Sequence, residues 1–128
     1  MIACVATAAG MFEVDLESEE VLPGAPFEPA PAPALNLPRV IAAAEEGSTV
    51  VAVVDAKPPM LVSHDSGLTW RESGRGLPPG RAVAVFPDDP DTMIYAARNR
   101  LYLSRDGGVF WTALAAELPE IDAVTVRE

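Results

Sequence analysis

Apolar residues in this chain fall into short runs, many alternating with polar ones, and the runs are cut apart by clusters of Gly, Pro, Asp and Ser. From Arg39 to Gly74 the runs are RVIAAAE, TVVAVVDA, MLVSHD and TWRESG, divided by Glu46-Gly47-Ser48, Lys57-Pro58-Pro59 and Ser66-Gly67. Runs of this length and β-branched content, with turn residues between them, predict strands rather than helices. A second set, RAVAVFP, TMIYAAR, RLYLSRD and VFWTALAA, spans Arg81 to Ala116, with turns at Asp88-Asp89-Pro90-Asp91 and Gly107-Gly108. At the N-terminus MIACVATA, GMFEVDLE and EEVLPG read as the second, third and fourth strands of a weaker unit, and IDAVTVRE at the C-terminus reads as its missing first strand. The chain is thus expected to hold three four-stranded units, circularly permuted. Between them, residues 25–38 (APFEPAPAPALNLP) alternate Pro with Ala or other residues, which suits an extended connector and not the interior of a sheet.

The two complete units also share a motif. SHDSGLTW begins at Ser63, and SRDGGVFW begins at Ser104, 41 positions later. A period near 40–45 residues filled with short strands is the size of one four-stranded propeller blade. In a hairpin turn the spacing S-x-D-x-G-x-T-W has a physical logic. The Asp carboxylate accepts backbone N–H groups, Gly supplies a positive φ, and Trp begins the returning strand.

On Ser63, Asp65, Gly67, Thr69 and Trp70, and again on Ser104, Asp106, Gly108 and Trp111, the motif resembles the Asp-box, or bacterial neuraminidase repeat, of sialidase-like and photosystem II assembly-factor-like propellers. The second copy departs from the pattern with Phe110 where Thr is usual. The resemblance implies an all-β propeller in which these residues are structural, on turns away from the face where sialidases catalyse. Three blades are too few for a closed ring, which uses about four to eight. The expectation is therefore a six-bladed propeller completed by homodimerisation, with residues 1–24 and 121–128 as parts of a shared blade and residues 39–74 and 81–116 as the other two. In that arrangement Ile121–Arg127 would pair with the strand near Ile2 of the other subunit.

Charge narrows the partners. Nineteen acidic against nine basic residues leave a net charge of −10, which repels a nucleic-acid backbone. No apolar run approaches the length of a membrane span, and the opening MIACVATAAG lacks the basic start of a signal peptide, so no membrane partner and a cytoplasmic location are expected. Cys4 is the single cysteine and His64 the single histidine, so neither a disulfide nor a Cys/His metal set is expected, and no cofactor. His64 occupies the place of Arg105 in the second motif, which suggests a tolerant, solvent-facing position.

No catalytic residue is assigned. A sialidase would need an arginine cluster and a tyrosine nucleophile with its acidic partners. Arg39, Arg81, Arg98, Arg100, Arg127, Tyr95 and Tyr102 qualify by type alone, since no family catalytic motif surrounds them. The two tyrosines are expected to pack between blades. Phosphate loops and nucleophile elbows do not occur. By analogy with other propellers, a ligand would meet the loops between second and third strands, at Asp55, Lys57, Arg98, Asn99 and Arg100. Arg98-Asn99-Arg100 is the one local basic cluster and would suit an anionic ligand or an acidic protein segment. The reading is a non-enzymatic propeller scaffold or binding module for a protein or small-molecule ligand. Its alternatives are a glycan-binding or sialidase-like glycoside hydrolase, and an assembly factor for another complex.

Overall fold

The computed structural model describes residues 1–128 and contains twelve strands and no helix. The strands are β1 (Ile2–Thr7), β2 (Gly10–Asp15), β3 (Val21–Pro23), β4 (Val40–Glu46), β5 (Thr49–Val54), β6 (Met60–Ser63), β7 (Arg71–Ser73), β8 (Ala82–Phe86), β9 (Asp89–Ala96), β10 (Leu101–Ser104), β11 (Thr112–Ala113) and β12 (Ile121–Arg127). They form three four-stranded antiparallel sheets. The first has the order β12-β1-β2-β3, the second β4-β5-β6-β7 and the third β8-β9-β10-β11.

The permuted unit is completed within one chain. Ile2 pairs with Arg127 and Val5 with Val124 on one edge of β1, and Ile2 pairs with Asp15 on the other. This corrects the expectation that Ile121–Arg127 would pair across a subunit boundary. The Glu120 carbonyl accepts the Ala8 N–H at 2.8 Å, and the Arg98 carbonyl accepts the Ile121 N–H at 2.8 Å, which leads β12 directly from the third sheet onto β1.

Alternation along the strands decides how the sheets stack. On β9, Ile94 and Ala96 point to one face and Met93 and Tyr95 to the other, and all four are fully buried. Ile94, with Phe86, Leu101 and Leu103, packs against Ala3, Val5, Val14 and Leu16 of the first sheet. Met93 and Tyr95, with Val83 and Val85, pack against Val51, Val53, Met60 and Val62 of the second. The third sheet is therefore the middle layer of an arc.

The two outer faces of the arc differ. On the first sheet Ile2, Cys4 and Ala6 are half-exposed. On the second, Val50, Ala52 and Val54 are buried although they belong to neither inter-sheet cluster. In the connector, Pro33, Leu35 and Leu37 are half-buried between exposed neighbours.

Several predicted strands are shorter than the pattern suggested, as TWRESG is in contributing only Arg71–Ser73. VFWTALAA contributes only Thr112–Ala113, because Val109 and Phe110 give their N–H groups to the Asp106 carboxylate. EEVLPG contributes only Val21–Pro23, because the Glu20 carbonyl is spent on the Asp15 N–H in the turn from β2.

Because β12 closes the first sheet within one chain, amide protection across β1 should be independent of protein concentration. Hydrogen exchange at micromolar and at nanomolar protein checks this. Deleting Ile121–Glu128 should remove that protection at every concentration.

Candidate functional site

The repeated motif is a closed hydrogen-bond system. Ser63 Oγ donates to Asp65 Oδ1 at 2.7 Å and accepts the Gly67 N–H at 2.8 Å. Asp65 then accepts the Thr69 N–H at 2.9 Å and the Thr69 hydroxyl at 2.6 Å. In the second copy Ser104 Oγ donates to Asp106 at 2.8 Å and accepts the Gly108 N–H at 3.0 Å, and Asp106 accepts the N–H groups of Val109 and Phe110. Gly67 and Gly108 sit at φ of 89° and 88°, which is the conformation the spacing calls for. The first sheet carries a reduced version, with Asp15 accepting the N–H groups of Glu17 and Ser18.

Hydrogen bonds to a charged carboxylate hold its proton affinity down. The Thr69 hydroxyl, the Thr69 N–H and the Ser63 hydroxyl bring the Asp65 pKa down to about 2 from its ordinary 3.8. The Phe110 N–H and Ser104 lower that of Asp106, and the Ser18 and Glu17 N–H groups lower that of Asp15. Phe110 has no hydroxyl to play the part of Thr69, and it stands 75 % exposed.

These turns also join the sheets. Ser73 on β7 donates to the Gly108 carbonyl of the next sheet's turn and accepts the Trp111 indole N–H at 3.0 Å. His64 is exposed, as its position in the motif suggested, but both ring nitrogens lie near partners. Nδ1 is 3.4 Å from the Thr49 hydroxyl and Nε2 is 3.3 Å from the Gly107 carbonyl. The first sheet docks its Asp15–Glu19 turn on the third in the same sense, with Glu19 accepting the Ala115 N–H at 2.7 Å and Arg105 lying 4.0 Å from Glu17. Sequence reading missed Ser73, because a serine in an ordinary strand carries no local mark of a partner 35 residues away.

At the opposite end of the strands lies a 400 Å³ cleft lined by Pro78, Pro79, Arg81, Arg98, Asn99, Arg100 and Tyr102, among others. The predicted basic cluster is thus brought to a concave surface. Asp55 and Lys57 are exposed in the turn between β5 and β6 and do not line this cleft. Arg81 joins the cluster and was not foreseen, since it is remote in sequence. Arg81 pairs with Glu120, and Arg100 with Glu117 at 2.9 Å. Arg98 is exposed and has no ionic partner. The Arg98 and Asn99 carbonyls accept the N–H groups of Ile121 and Leu118, which fixes the loop.

Tyr102 lines the cleft and is backed by two further aromatic rings. Tyr95, fully buried, donates its hydroxyl to the Pro78 carbonyl at 2.6 Å, and its ring lies 6.0 Å from those of Tyr102 and Trp111. Burial, and then the neighbouring Tyr102, push the Tyr95 hydroxyl well above the usual tyrosine range, so it stays a neutral donor. A Cβ at Gly80 would collide with the Tyr95 ring. Glycine there lets the Pro78-Pro79 strap lie close to that ring.

No group of three or more His, Cys, Asp or Glu is placed to hold a metal ion, and no helix is long and apolar enough to cross a membrane. Comparison with protein-family models and with curated proteins gives no match to this chain.

Gly80→Ala should overpack the Tyr95 ring and cost about 1–3 kcal/mol, read by urea denaturation. Acid stability follows from the depressed carboxylates. Their contribution is complete above the ordinary carboxylate pKa of 3.8 and is lost as pH falls from there toward about 2. Thermal midpoints measured through that window should drop, and should drop less in Asp65→Asn. Phe110→Thr should raise the midpoint at neutral pH by giving Asp106 the hydroxyl that Asp65 already has.

Proposed function

We propose that this protein is a non-enzymatic Asp-box β-propeller scaffold or binding module, with its three blades half of a six-bladed ring completed by a second copy. The observation that carries the reading is the repeated joint between a turn and the preceding blade. The Gly107-Gly108 turn docks on β6 and β7, and the Asp15–Glu19 turn docks on the third blade. Two halves of that joint are left over. The turn of the second blade presents Leu68 at 84 % exposure, and the free face of the first blade presents Leu22 at 51 %. In a two-fold ring each leftover turn meets the partner's leftover face, and closure removes both. The partner's first blade would then lie over Val50, Ala52 and Val54.

A scaffold rather than an enzyme is favoured by how the reactive side chains are employed. The motif carboxylates are saturated by their own turns, and Tyr95 is a buried donor to a carbonyl. Arg98 is the free cation at the cleft, and it suits a carboxylate on an acidic segment of a protein or on a small molecule.

Light scattering behind a sizing column should give about twice the chain mass of 13.5 kDa. Leu68→Glu and Leu22→Glu, each at an exposed position, should each return the monomer mass while leaving the circular dichroism spectrum unchanged. A wild-type monomer, or a dimer indifferent to both changes, overturns ring closure. For the cleft, a glutamate-rich peptide should bind in a salt-sensitive manner, and Arg98→Ala should weaken it. Equal binding by that variant rejects the cleft as the binding site.

A further inference from the structure

A groove of 270 Å³ is lined by Ala43–Glu46 of β4, Val83–Val85 of β8 and Val124–Val126 of β12, with Ala30 and Pro31 of the connector at its side. Successive side chains on a strand point to opposite faces, so a groove that touches three or more consecutive residues on each of three strands is bounded by strand edges and not by a sheet face. β4, β8 and β12 are indeed the terminal strands of their sheets, each paired on one side only. An edge strand presents a row of N–H and C=O groups to whatever lies beside it. No hydrogen bond outside the sheets reaches Ala43–Glu46, Val83–Val85 or Val124–Val126, and the connector makes none with them.

The connector is poorly suited to fill that role. Pro31 has no N–H, and the Pro/Ala alternation around it keeps the segment from pairing as a strand. Three strand edges set among Ala and Val suit one extended chain with small side chains. At one end Glu45 and Glu46 stand without an ion-pair partner.

The geometry points to a second binding site, in which an extended peptide of small apolar residues pairs with the free edge of β4, β8 or β12 and places a basic side chain at the end of the groove where Glu45 and Glu46 stand on the two faces of β4. Recognition is by strand addition, with main-chain hydrogen bonds supplying affinity and the carboxylates fixing direction. The site rests on the binding-module reading but not on ring closure or on the Arg98 cleft.

The probe is a fluorescein-labelled lysine-valine-alanine-valine-alanine-valine peptide, read by fluorescence polarisation with the full chain. Saturable binding is expected. Methylating alternate backbone nitrogens removes two or three main-chain donors and should weaken it about tenfold. Replacing the lysine by glutamate should weaken it about threefold, and the Glu45→Lys/Glu46→Lys double variant should reverse that preference. Both glutamates lack ion-pair and side-chain hydrogen-bond partners, and an unchanged thermal midpoint confirms the fold of the variant. No binding of the parent peptide, equal binding of the methylated one, or an unaltered preference in the double variant overturns the site. Arg98→Ala should bind this probe normally, so loss of the groove and loss of the cleft are read separately.

Discussion

A β-sheet whose two faces are both apolar has to be covered on both, and the third sheet imposes that condition on the molecule. Its β8 reads Ala-Val-Ala-Val-Phe, and its β9 buries every residue from Thr92 to Ala96. Neither face tolerates water, since fully burying one such side chain is worth about 1.5–3 kcal/mol relative to leaving it exposed. The first and second sheets are therefore drawn to opposite sides of the same strands. The route of the chain follows from that arrangement. It completes three strands at one end of the arc, reaches the other end through a fifteen-residue Pro/Ala-rich stretch from Gly24 to Pro38, returns through the middle, and finishes as β12 beside β1. A connector without internal pairing needs suits this crossing better than a further strand, which would present another edge to be satisfied.

Face-to-face burial is non-directional, and the turns supply the direction. The carbonyls of Gly107 and Gly108 point at His64 and Ser73, and Trp111 returns a hydrogen bond to Ser73 from the same side. Gly108 belongs at this junction for two reasons. Its φ is 88°, and a Cβ would press on Ser73 Oγ and Val62 at 3.2 Å each. The motif thus closes a hairpin locally and registers one sheet against the next at longer range. Its carboxylate lies on the near side of that division and serves only the hairpin.

What the sequence made legible is what repeats locally. Strand-sized runs, the 41-residue offset and the Ser, Asp and Gly roles in the turns all rest on neighbours within a few positions, and the structure places them accordingly. The permuted unit was legible as a set of four strands, because Ile121–Arg127 has strand patterning and no successor. Which copy of β1 it would join was not, because pairing in one chain or between two uses the same residues and the same register. Strand length failed where side chains captured backbone donors, as Asp106 does with Val109 and Phe110. At the cleft, Arg98, Asn99 and Arg100 were found because they are consecutive. Arg81, Glu117 and Glu120 were not, because their ion pairs join residues brought together only by folding.

The distribution of charge then separates structural from available chemistry. In a chain of net charge −10, a cation is readily neutralised, and Arg81, Arg100, Arg105 and Arg127 all have carboxylate partners within 4.0 Å. Exposed pairs of this kind contribute little to stability, with typical values of about 0–1 kcal/mol. Their larger effect is to remove those groups from competition for a ligand. Arg98 at the cleft, and Glu45 with Glu46 at the inner groove, escape such pairing. They do so on loops and edges whose backbones are fixed by neighbours, as the carbonyls of Arg98 and Asn99 are by Ile121 and Leu118. An unpaired charge on a rigid backbone loses little conformational freedom when it meets a partner, and for that reason binding is sought at these two places and not at the more numerous charges that the fold already employs.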